Sequence, residues 1–97
     1  MSRVERDLIT AATESAGQAA SGATASLAYS RDWSSSLFSG VRLTVEIHAS
    51  EGEAFETWLA GLPDADFGVR GHFVASADLV ERRGGVGVVE FLLVEQS

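Results

Sequence analysis

One stretch limits the fold more than any other. Val41-Arg42-Leu43-Thr44-Val45-Glu46-Ile47-His48 alternates apolar and polar side chains along its whole length. Successive side chains of a strand point to opposite faces, so the stretch predicts a strand with one buried face. The spacing then changes. Phe55, Trp58, Leu59 and Leu62 fall at i, i+3, i+4 and i+7, the apolar stripe of a helix that Pro63 stops. Ser50 and Glu53 have the spacing of a capping box, and Glu51, Glu53 and Glu56 suit the positive end of a helix dipole. Phe67 to Val94 reads as two long strands joined at Arg83-Gly84-Gly85.

Upstream, Ser2 and Glu5 again have capping-box spacing and open a helix expected to run to about Ala16. Its stripe of Val4, Leu8, Ala11 and Ser15, with Ile9 and Ala12 beside it, is poor in large side chains. Gly17 to Ala25 is all small or polar and reads as a flexible connector. Leu27 to Arg31 predicts a first strand, Asp32 to Ser36 a loop, and Leu37 to His48 the second strand. The expected fold is therefore α+β: a four-stranded antiparallel sheet with two helices, in the order αββαββ, the helices mainly on one face. The 97 residues make one domain, with residues 1–24 as helix and connector and 25–97 as the sheet-and-helix core.

Register decides which side chains face the core. A two-residue Gly84-Gly85 turn would put Leu79 opposite Glu90, mixing polar and apolar on both faces. A three-residue Arg83-Gly84-Gly85 loop, with Gly85 in the left-handed region, pairs Leu79 with Val89, Ala77 with Phe91 and Ala75 with Leu93. The second choice gives one clean core face, at the cost of Asp78 opposite Glu90. It places Val74, Val80, Val88, Leu92 and Val94 on the other face. With both helices on the core side these five form an uncovered apolar patch, the kind of surface that marks an interface. The alternative is that the N-terminal helix folds over them.

Fourteen acidic residues against seven Arg give a net charge of −7, which argues against a basic nucleic-acid-binding surface. There is no Cys, hence no disulfide or thiolate chemistry, and the absence of Lys fits a GC-rich coding sequence. No apolar run is long enough to span a membrane, and Met1 to Asp7 lacks a signal-peptide core, so a cytoplasmically made soluble protein is expected. His48 and His72 lack metal-ligand spacing and read as strand histidines. Ser34-Ser35-Ser36 has no nucleophile-elbow context, and Gly84-Gly85-Val86-Gly87 is followed by a strand rather than a phosphate-binding helix. No catalytic residue, cofactor or metal is expected.

Asp32-Trp33 leads through a polar loop to Gly40 and the strand Val41–His48. A short amphipathic helix follows, then Gly71-His72-Phe73-Val74, a charged tip at Glu81-Arg82-Arg83-Gly84, and a closing strand with Val89-Glu90-Phe91. This order resembles the tail terminator (tail completion) proteins of long-tailed phages and phage-derived gene transfer agents, over about two-thirds of the chain. It departs from them in the N-terminal third. Members of that family have a longer opening helix and a Pro-Tyr/Phe entry to the first strand, where this chain has Gly17–Ala25 and Leu27-Ala28-Tyr29.

The resemblance implies a virion component that forms a ring, typically of six subunits, capping the tail tube and joining it to neck proteins. The face with Val74, Val80, Val88, Leu92 and Val94 would supply subunit or tube contacts, and Arg82 and Arg83 would meet an acidic neighbour. Acidity would suit a lumen through which DNA slides without binding. Assembly would take place in the cytoplasm, and no membrane is involved. Two other classes fit the same residues: an adaptor module dimerising through that sheet face, and a small-ligand binder or enzyme using space between Trp33, Trp58 and the sheet.

Overall fold

The computed structural model describes residues 1–96. Its order is α1 (Arg3–Ala19), β1 (Thr24–Ser34), β2 (Ser39–His48), α2 (Glu53–Ala60), a 3-10 turn (Leu62–Asp64), β3 (His72–Arg83) and β4 (Val86–Glu95). The strands form one antiparallel sheet in the order β1-β2-β4-β3, so the αββαββ expectation holds.

The Ser2 capping box is formed at both ends of the exchange. The Ser2 hydroxyl accepts from the Glu5 N–H, and a Glu5 carboxylate oxygen accepts from the Ser2 N–H at 2.7 Å. The hydrogen bond from the Ser2 backbone, then one from the Ser30 side chain, holds the Glu5 carboxyl below its usual range. The second capping box does not form. The helix starts only at Glu53, so Gly52 sits at the N-cap of α2 with no side-chain cap; just before it, the Ala49 N–H donates to the Gly85 carbonyl at 2.9 Å.

The expected connector is largely taken up by the elements on either side of it. Residues 17–19 complete α1, the Ala23 N–H donates to the Ala20 carbonyl, and the Ala25 N–H donates to Thr13 Oγ1 at 3.3 Å. Small side chains act here as close-packing residues. Ala12, Ala16 and Ala23 are buried and let α1 lie low on the sheet. The core joins Leu8, Ala12 and Ala16 of α1 and Phe55 and Leu59 of α2 to one sheet face: Val41, Leu43, Val45 and Ile47 of β2, Ala77 of β3, and Val89, Phe91 and Leu93 of β4. Phe67 meets Phe91 edge-on at 5.4 Å. Both helices therefore cover the same face, and α1 does not fold over the other one.

The β3–β4 register combines both readings of the hairpin. The turn is the two-residue Gly84-Gly85, with Arg83 opposite Val86, and Gly84, at φ 53°, is the left-handed residue. Gly85 is needed for close approach instead: a Cβ there would lie 2.3 Å from the Ala49 carbonyl oxygen. A bulge at Val80 then restores the expected pairs Leu79–Val89, Asp78–Glu90 and Ala77–Phe91. A second bulge at Ala75 shifts the register again, so Val74, not Ala75, lies opposite Leu93.

Candidate functional site

The uncovered face of the sheet is assembled from cross-strand rows. At one end Trp33, Gly40, Val94 and Phe73 lie side by side, and Arg31, Arg42, Leu92 and Ser76 form the next row. The middle row is Tyr29, Thr44, Glu90 and Asp78. Ser26, Glu46, Val88 and Glu81 follow, then Thr24, His48, Val86 and Arg83. Apolar side chains thus stand along β4 at Val94, Leu92, Val88 and Val86, interrupted by Glu90, while Trp33 and Phe73 flank Val94 and Tyr29 lies on β1. Arg42 Nη1 donates to Glu90 Oε1 at 2.9 Å across the two central strands, and His48 Nε2 lies 3.2 Å from Glu46 Oε1.

Of the five aliphatic residues assigned to this face, Val88 and Leu92 stand on it, half-buried by their neighbours. Val74 does not. The Ala75 bulge turns it to the helix side, where it packs against the core. Val94 belongs to the face by register but is only 4% exposed, filled in by its own row. Val80 is the extra residue of its bulge and is 56% exposed near the edge of the sheet.

The two arginines of the hairpin tip are engaged within the subunit. The Arg82 guanidinium lies over the Phe55 ring, 5.1 Å from its centroid, and binds Glu56, while its Nε donates to the Gly84 carbonyl at 2.9 Å. Its charge is thereby used to tie the hairpin to α2. Arg83, more exposed, pairs with Glu81 on its own strand.

Sequence reasoning missed two residues. Leu37, 83% exposed, and Phe38, 51% exposed, form the tip of the β1–β2 loop, whose ends are closed by the Ser35 N–H donating to the Phe38 carbonyl at 2.8 Å. The signal was present: two adjacent large apolar residues directly after three serines. The strand expected over Leu37–His48 begins only at Ser39, which leaves both in the loop, while β1 runs through Asp32 and Trp33 to Ser34.

The ligand-site candidates separate in space. Trp33 belongs to the open face, whereas Trp58 lies on the helix side with its indole N–H donating to Ser15 Oγ at 2.9 Å. They enclose no common pocket. His48 and His72 stand at opposite ends of the sheet on opposite faces. Among the described residues no group of three His, Cys, Asp or Glu could hold a metal ion. A polar cleft of about 620 Å³ opens where α1 stops short of the sheet end, with Glu5, Asp32, Glu95 and His72 in its wall. His72 Nδ1 is buried there without a hydrogen-bond partner.

No helix among the described residues is long and apolar enough to cross a membrane. Comparison of the chain with protein-family models, with curated proteins and with solved structures gives no match.

Proposed function

We propose that this chain is a structural subunit that closes with its own copies into a ring, of the kind tail terminators form between a tail tube and a neck. A ring needs two unlike surfaces per subunit, because a single self-complementary patch yields only a pair. The observation that carries the reading is the placement of the exposed apolar residues. Leu37 and Phe38 project from the β1–β2 loop, while Leu79, 43% exposed, and Val80 lie on β3, across the sheet from β1. The tip of one subunit against Leu79 and Val80 of the next gives a head-to-tail contact.

Bulges at Ala28 in β1 and at Ala75 and Val80 in β3 interrupt both edge strands, which disfavours growth by sheet extension and leaves side-chain contacts to do the joining. The −7 charge suits a lumen that lets DNA pass. This reading assigns no catalysis, cofactor or metal. The subunits would assemble in the cytoplasm and then belong to a virion-like particle, against tube and neck proteins.

Leu37→Asp and Val80→Asp test it by electron microscopy of the purified protein. Closed rings are expected from the natural chain and none from either variant, with circular dichroism unchanged. Rings from Leu37→Asp would remove the tip from the contact.

A further inference from the structure

We infer that the open sheet face is a docking surface for the same face of a second copy, related by a two-fold axis lying along the Thr44–Glu90 row. The inference does not rest on the ring: a face pair can exist as a free dimer or join two rings back to back.

The argument is one of self-complementarity. β2 and β4 pair without a bulge from Gly40–Val94 to His48–Val86, so the rows on either side of Thr44–Glu90 are evenly spaced. Rotation about that row reverses the strand direction and lays each strand over its own copy. The Arg42 row then meets the Glu46 row. Arg42 comes over Glu46 of the second copy, and Leu92 over Val88. Opposite charges and aliphatic side chains fall together at the same time, twice per pair.

Glu90 and Asp78 each approach their own copies at the axis; Arg42 holds each Glu90 at 2.9 Å, and Asp78, on the edge strand, is the repulsive part of the contact. Two twisted sheets packed face to face cross at about 30°, which keeps the central strands in contact and frees the corners. The rows from Gly40 to His48 span about 27 Å and the four strands about 15 Å. That footprint, about 400 Å² per copy, is below the size of a standard specific contact, so the pair should be weak and dissociate on dilution.

Sedimentation equilibrium in the Leu37→Asp background, where the ring contact is removed, tests this directly. That chain is expected to dimerise. Glu46→Arg and Arg42→Glu, each added alone, set like charges against one another and should weaken self-pairing about tenfold or more. An equimolar mixture of the two restores both ion pairs and should form a one-to-one heterodimer. Amide NMR spectra establish that each variant is folded. A Leu37→Asp chain that stays monomeric at millimolar concentration leaves the face to another protein and overturns the pairing. So does a mixture no more dimeric than its components. Rings absent from the natural chain, with face dimers present, would remove the ring alone.

Discussion

Arg42 reaches across from β2 to Glu90 on β4, Nη1 to Oε1 at 2.9 Å, on the row next to the one where Glu90 faces Asp78 of β3. The ion pair offsets the like-charge pair that this register imposes. Arg42→Ala should therefore cost more than an ordinary surface pair, about 1 kcal/mol at low salt, and less as salt screens the carboxylates. Asp78→Asn in the Arg42→Ala background should recover much of it. A double-mutant cycle by urea unfolding checks both.

The two faces of β3 and β4 can be told apart by one kind of substitution. Val74→Glu places a carboxylate on the core side and should leave little folded protein at 25 °C. Val88→Glu and Leu92→Glu, on the open face, should each cost about 1 kcal/mol or less in a monomer. Equal losses at the three positions by chemical denaturation would mean that the Ala75 bulge does not turn the strand.

Gly40 and Gly87 both lie in the sheet, yet only one lacks room. A Cβ at Gly40 would lie 2.0 Å from the Leu93 carbonyl oxygen, which is backbone of the paired strand. A Cβ at Gly87 would meet Leu59 Cδ2 at 3.0 Å, and a leucine tip can move. Gly40→Ala should cost about 3 kcal/mol and Gly87→Ala about 1 kcal/mol. Thermal unfolding ranks them.

The Glu5 carboxyl is held below its usual range by the capping box and Ser30. A group whose folded pKa is depressed adds stability above its unfolded pKa and loses it as pH falls through the folded one. The stability gap between the natural chain and Glu5→Gln should thus be largest at neutral pH and close below the ordinary carboxylate range. Parallel urea titrations at several pH values measure the gap directly. A gap that widened on acidification would contradict the assignment.

The elements that could be read from the chain are those whose signal is periodic. The alternation of Val41–His48 and the Phe55, Trp58, Leu59, Leu62 stripe survive because each places a continuous apolar face against one core. The pairs Leu79–Val89 and Ala77–Phe91 were legible for the same reason. Val74 was not, because one unpaired residue inverts every side chain beyond it and the methyl group of Ala75 does not announce a bulge. The Gly17–Ala25 segment misled in the opposite direction. Small side chains suggest freedom, but here they let α1 approach the sheet closely enough to be pinned by Thr13. Nothing near Arg82 in the sequence points to its partners, Phe55 and Glu56, which lie far off along the chain.

Light scattering on the purified natural chain, over a wide range of concentration and at two salt concentrations, tests the ring most directly. A closed ring predicts one discrete mass several times the 10.2 kDa of the chain, stable to dilution. A doubling of that mass at high concentration would add the face pair. A monomer at every concentration, or a dimer with nothing larger, would contradict the ring.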